Sequence, residues 1–219
     1  MTDHLRPTAA IAEHAVLPGD PGRALALAQD LLDGPRMANH ARGLWGYTAL
    51  TPGGDQLTVQ STGIGGPSVA IVLSELASLG VRRAVRVGTC TALDATLAAG
   101  DLLAATAALP PTGGEPVEPD AGLTAALAGR EPPLLPVLVA GADLYYDPEA
   151  DAKREAWVRA GAAVVDLGTA ALLETGARVG VEVASALVVA RDGERQLTDD
   201  EVETACLELG RLASAALLG

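Results

Sequence analysis

Two arginines and a run of glycines mark the places in this chain where an anion can be held. Arg23 ends the segment Leu17-Pro18-Gly19-Asp20-Pro21-Gly22-Arg23, and Arg86 begins Arg86-Val87-Gly88-Thr89-Cys90. Between them lies Thr62-Gly63-Ile64-Gly65-Gly66-Pro67-Ser68. Glycine lets the backbone approach an anion. A following helix offers unsatisfied N–H groups at its positive dipole end, and a guanidinium adds a charge-assisted fork. Taken alone, the first segment also reads as a plain turn and helix cap, and a glycine-rich turn before a helix is a weak phosphate signal. Arg86 is more informative, because an arginine inside an apolar strand is costly to bury unless it is paired or binds an anion. Further on, Asp192 closes a long apolar strand, where burial would raise its pKa and let it hold a proton for a leaving group. As part of an Asp-Gly pair it also reads as an ordinary turn residue.

Strand ends and helix starts must position these residues, and the periodicity supplies both. Residues 13–17 read as a first strand, with Asp20 as the cap and Pro21 in the first turn of the helix that follows. Residues 42–50 and 56–62 read as strands around a turn at Pro52-Gly53-Gly54. Val69, Val72, Leu73, Leu76 and Leu79 recur at helical spacing and predict a helix over 67–79, with Gly80 suited to its end. Strands are predicted over 82–90, 101–108, 134–140, 163–165 and 181–190. Helices are predicted over 149–160 and 169–175. Thr198 and Glu201 have the spacing of a capping box for the last helix. The proline-rich stretch 110–120 reads as a surface loop. Such alternation implies an α/β fold with a largely buried sheet.

Composition sets the outer bounds. The chain has 219 residues, of which 49% are hydrophobic and 20% charged. That suits one globular domain over 1–219 with a full-sized core. A net charge of −13 argues against nucleic acid or an anionic membrane as partner, since both need a basic surface. Cys90 and Cys206 are the only cysteines, so neither a disulfide framework nor a CxxC zinc site is expected, and no metal. Without an apolar leader core at the start or an unbroken apolar run of spanning length, a cytoplasmic location is expected. There is no Phe, and the five aromatics are Trp45, Tyr47, Tyr145, Tyr146 and Trp157. The core must therefore come from Ala, Val and Leu.

In order along the chain, GDPGR, GIGGPS, RVGTCTA, Gly100-Asp101, Ala142-Asp143-Leu144-Tyr145-Tyr146, VDLGTAAL and Arg191-Asp192 resemble the motifs of the nucleoside phosphorylase family, which includes hexameric bacterial purine nucleoside phosphorylases and uridine phosphorylases. The resemblance covers nearly the whole chain. It implies a three-layer α/β/α domain with a central mixed, partly barrel-like sheet. It also implies phosphorolysis of a nucleoside to free base and pentose 1-phosphate, with inorganic phosphate as co-substrate and no cofactor. Phosphate would be held by Gly19, Arg23, Arg86 and Thr89, with Arg42 reaching in from a neighbouring subunit. The nucleoside would meet Ile64, Tyr145, Asp166, Leu167 and Gly168, and His4 from that neighbour would meet the 5′-hydroxyl. Asp192 matches the general acid at purine N7. A site shared in this way implies a homo-oligomer, a dimer at minimum and a hexamer by family habit. Trp45 and Tyr47 would then lie near the subunit contact.

The resemblance breaks at the sugar. The family's V-E-M-E-x-A-A reads Val165-Asp166-Leu167-Gly168-Thr169-Ala170-Ala171 here, so Gly168 stands where a glutamate accepts the sugar 2′- and 3′-hydroxyls. Losing a charge-assisted acceptor costs about 1.5–3 kcal/mol. Thr91, Arg191 and Gly193 are smaller departures, and the segment after Asp192 is short. Three readings remain: a phosphorylase of purine nucleosides, including those with a deoxy or modified sugar; a nucleosidase using water; or a binding protein for a nucleoside, nucleotide or sugar phosphate. Retention of three phosphate-site arginines speaks against the nucleosidase.

Overall fold

In the computed structural model, which describes residues 2–219, short apolar strands alternate with helices. The strands are β1 (His14–Pro18), β2 (Asp33–Asn39), β3 (Gly46–Leu50), β4 (Gln56–Gln60), β5 (Arg83–Ala92), β6 (Leu102–Leu109), β7 (Leu135–Gly141), β8 (Val164–Asp166) and β9 (Glu182–Arg191). The helices are α1 (Pro21–Leu31), α2 (Gly66–Ser78), α3 (Ala121–Ala128), α4 (Ala150–Arg159), α5 (Thr169–Val179) and α6 (Asp199–Leu218). All strands join one mixed sheet in the order β2-β3-β4-β1-β5-β8-β7-β6-β9, and β9 pairs back onto β5. The last five strands thus close into a ring, which gives the partly barrel-like sheet expected of this α/β chain.

β5 is the hinge of this arrangement. It is long enough to pair with β1 through its first half, with β9 along nearly its whole length and with β8 at its tip. Strand alternation sends Val85 and Val87 into one core cluster with α1, α3 and α6, and Ala84 and Cys90 into a second with α2 and α5. Helices therefore cover both faces. With no Phe available, Leu, Val and Ala fill both clusters, joined by Tyr47. Trp157 packs half-buried in a third, small cluster with Leu93, Ala140 and Ala162. Among the described residues no helix is long and apolar enough to cross a membrane.

Most predicted elements form within a few residues of their expected ends. The capping box is complete: Thr198 Oγ1 accepts from the Glu201 N–H, and Glu201 accepts from the Thr198 N–H. Two expectations are corrected. The strand predicted from Arg42 begins only at Gly46, because Arg42 sits in a one-turn 3-10 segment with φ 59° and ψ 18°. Tyr47 points into the core rather than a surface contact, and Trp45 is half-buried against the same cluster.

Candidate active site

The glycine turns meet at the C-terminal ends of β1 and β4, which run parallel. Asp20 caps α1 by accepting the Arg23 N–H at 2.9 Å. The two loops are stitched together by Thr62 N–H to Pro18 O at 2.8 Å and Gly63 N–H to Gly19 O at 3.0 Å. Ser68 Oγ closes the second loop by donating to Thr62 O at 2.6 Å. A Cβ on Gly63 would meet that Oγ at 2.5 Å, and its φ of +75° also requires glycine. The N-terminus of α2 begins at Gly65 with no side chain capping it.

Arg86 lies on β5 between Leu17 of β1 and Ser185 of β9. It is 7% exposed and donates to Asp166 Oδ2 from Nη2 at 3.0 Å and from Nε at 3.3 Å. Asp166 is itself held by the N–H groups of Gly168 and Thr169 and by the Thr169 hydroxyl. The guanidinium packs close against two glycines. A Cβ on Gly168 would stand 2.8 Å from its Cζ, and one on Gly88 would stand 2.9 Å from its Nη2. This explains the spacing in Arg86-Val87-Gly88: residues i and i+2 share a strand face, and the second must vanish for the first to lie flat. It also explains Gly168, whose missing side chain leaves the space Arg86 fills.

Asp166 was expected against the nucleoside; the structure instead buries its side chain to 1% exposure as the partner of Arg86. Arg86 keeps Nη1 without a protein hydrogen bond among the described residues, as does Arg23 its Nε and Nη2. Arg23 directs Nη1 at Cys206 Sγ, 3.6 Å away. Burial pushes the Cys206 thiol up, and the Arg23 charge foremost, then that of Arg86, acts against that rise. Thr89 is half-buried, and strand alternation puts it with Val85 and Val87 on the α1/α6 side, the side of Arg23. Arg86, by the same alternation, is on the opposite α2/α5 side, so the expected phosphate residues are divided between the two faces of β5.

Beside them opens a groove of about 730 Å³ whose walls include His4, Arg42, Ile64, Asp143, Tyr145 and Leu167. Ile64 is 86% exposed and Tyr145 61%, and the Tyr145 ring stands edge-on to Tyr146 with centroids 5.0 Å apart. Arg42 projects into the groove without a hydrogen bond or ion pair among the described residues. His4 is fixed by Nδ1 to Glu75 Oε1 at 2.8 Å. Asp143 is the sole carboxylate among the groove residues.

Asp192 departs from its expected state. Its carboxylate accepts the Ala99 N–H at 2.8 Å, the Arg195 N–H at 2.7 Å and the Glu194 N–H at 2.9 Å. Those bonds, the one from Ala99 foremost, hold its pKa below the ordinary carboxylate range instead of raising it. The residue is only half-buried, so the desolvation that was to raise the pKa is outweighed by those bonds. Arg195 pairs with Glu201.

Sequence reasoning missed Glu75, gave Asp143 no role within its motif, and missed the Arg86–Asp166 pair. The first and last join residues 70 or more positions apart, which no local pattern reports.

The family model of the Phosphorylase superfamily matches residues 13–218. The chain is 34% identical over 224 residues to the purine nucleoside phosphorylase DeoD-type of Geobacillus kaustophilus, covering 92% of this chain and 94% of that protein. A protein of the same description from Geobacillus sp. (strain WCH70) is 34% identical, covering 90% and 93%. Another from Caldanaerobacter subterraneus subsp. tengcongensis is 32% identical, covering 82% of each. The chain belongs to the phosphorylase superfamily, as a member of its nucleoside phosphorylase family.

Proposed function

We propose that the chain catalyses phosphorolysis of purine nucleosides, giving free base and pentose 1-phosphate. The observation that carries this is the placing of Arg23 at the first of two stitched glycine turns and of Arg86 on the strand paired beside it, each with donors unused by the protein. Such a site suits a dianionic phosphate, aligned by Gly19, Arg23, Arg86 and Thr89 for attack on the anomeric carbon. Its charge stabilises an oxocarbenium-like transition state. The base would rest in the groove against Ile64 and Tyr145, and the sugar over Leu167 and Gly168. His4 and Arg42 line their own chain's groove, so in a dimer whose two grooves adjoin they would serve the site of the second copy, His4 meeting the nucleoside 5′-hydroxyl, and the working unit is a dimer or a larger closed oligomer.

With Gly168 in place of a carboxylate, the site has no acceptor there for the 2′- and 3′-hydroxyls. The sugar preference should therefore be flat, with 2′-deoxyinosine turned over about as well as inosine. The three N–H donors at Asp192 favour its ionised form, so its Asp-Gly turn must open before it gives a proton to N7. The same two observations favour a second reading, binding of a nucleoside or sugar phosphate without turnover.

Release of hypoxanthine from inosine and 2′-deoxyinosine, measured with and without phosphate, separates the readings. Phosphate-dependent release with pentose 1-phosphate as co-product supports phosphorolysis. Phosphate-independent release makes the chain a nucleosidase, and ligand binding without release supports the second reading.

A further inference from the structure

Three successive backbone N–H groups at the start of the chain converge on one carboxylate in α2. Glu75 accepts from Asp3 N–H at 3.0 Å, from His4 N–H at 3.0 and 3.2 Å and from Leu5 N–H at 2.6 Å. It also contacts the His4 ring at Nδ1, 2.8 Å away. Leu5, 1% exposed, anchors the segment in the core beside α2. Glu75 is 14% exposed at its side chain and His4 32%. Burial alone would raise the Glu75 carboxyl, but the N–H donors of Leu5, His4 and Asp3 together with the His4 ring outweigh it and hold the group ionised.

An ionised carboxylate only accepts hydrogen bonds, so His4 Nδ1 must carry the proton in this contact. In the neutral ring the lone pair is then on Nε2. That atom has no protein partner among the described residues, and His4 lines the groove with Arg42, Tyr145 and Leu167. The partner of one ring nitrogen sets what the other can do.

We propose that Glu75 is a positioning residue that fixes His4 as the Nδ1–H tautomer, so that Nε2 accepts a hydrogen bond from a sugar hydroxyl and selects nucleosides that carry one. This rests on the assignment of His4 to the nucleoside 5′-hydroxyl. A 5′-deoxy or 5′-thioether sugar has no donor to offer and is disfavoured at this position. The restraint is built by a residue that never touches substrate.

Two measurements test it. Nitrogen-15 NMR of the histidine rings reads the tautomer directly, with His4→Gln used to assign the signal. The expected result is Nδ1–H in the native protein and loss of that preference in Glu75→Gln, where the side-chain amide can donate to the ring. A native Nε2–H tautomer, or an unchanged tautomer in Glu75→Gln, overturns the proposal and needs no turnover to do so. For kinetics, kcat/KM for inosine is divided by that for 5′-deoxyinosine. Glu75→Gln should lower this ratio about three- to tenfold, the worth of one hydrogen bond, mainly through KM. A variant that keeps the native ratio while losing only thermal stability shows a purely structural anchor and overturns the proposal. If His4→Gln leaves the ratio unchanged while the tautomer behaves as expected, the assignment of His4 to the 5′-hydroxyl fails, and with it the selection part of the proposal.

Discussion

Gly168→Ala isolates the steric logic of the site, because the backbone there, at φ −132°, tolerates any residue. The added methyl would stand 2.8 Å from Arg86 Cζ, 2.9 Å from Nη2 and 3.1 Å from Nε. Carbon contacts rest at about 3.5–4.0 Å, so the guanidinium has to retreat by roughly 0.7 Å or more. Gly88 also packs close to the guanidinium, which limits the room for retreat. Retreat stretches the bonds of 3.0 and 3.3 Å to Asp166, whose side chain is 1% exposed and has no water to replace them. The cost lies between overpacking, about 1–3 kcal/mol, and rupture of a buried ion pair, about 3–5 kcal/mol. In a chain of this size each kcal/mol moves Tm by about 2–4 °C, so a fall of about 4–12 °C is expected for 2–3 kcal/mol. Thermal unfolding by calorimetry reads this term, and the phosphate KM, expected to rise, reads the displacement of Arg86. The penalty should shrink in an Arg86→Ala background, since the clash partner is gone. A Gly168→Ala protein that melts within about 1 °C of the native one, with an unchanged phosphate KM, refutes the clash with Arg86 as the reason for glycine.

Arg42 sits in the left-handed region at φ 59°. Arg42→Gly relieves about 1 kcal/mol of backbone strain, partly offset by glycine's greater freedom when unfolded. Its Tm should stay level or rise while its phosphate KM rises about tenfold, a loss of about 1.4 kcal/mol in binding; steady-state kinetics beside melting curves check this pair. Asp192 has a folded-state pKa below its unfolded value. Its contribution to stability is therefore present above the unfolded pKa, about 3.9, and is lost as pH falls through the lower folded value. Melting temperatures taken from about pH 6 down to pH 3 should fall less steeply for Asp192→Asn than for the native protein, an equal slope being the contrary result.

The strand–helix alternation was legible because its signals are local. Pro21 and Asp20 start α1, Gly80 with φ +109° ends α2, and Thr198 with Glu201 caps α6, each read within a few residues. β2 was not legible. Its sequence, Asp33-Gly-Pro-Arg-Met-Ala-Asn39, lacks alternation and carries two residues that argue against a strand. It forms at the sheet edge, where proline is tolerated, with register shifts against β3. The state of Asp192 escaped for a different reason. A strand-end aspartate can be buried or looped, and the choice was made by the N–H of Ala99, 93 residues away.

Arg86 shows how far residue types alone carry a reading. A buried arginine required either a protein partner or an anion, and the structure supplies Asp166. The two answers are compatible. A guanidinium has five N–H donors in a fixed fork. Asp166 engages Nε and one side of Nη2, through a single oxygen, and leaves Nη1 unused. The carboxylate therefore orients the fork and offsets its burial without consuming it, while Gly88 and Gly168 leave the room in which it lies. A lysine could present its charge but could not be gripped at one edge and open at the other. The glycine at 168, which read from the sequence as a deletion from the sugar site, is in the structure a constraint on the phosphate site. Any carboxylate restored at 168 would have to share space with the guanidinium that now occupies it.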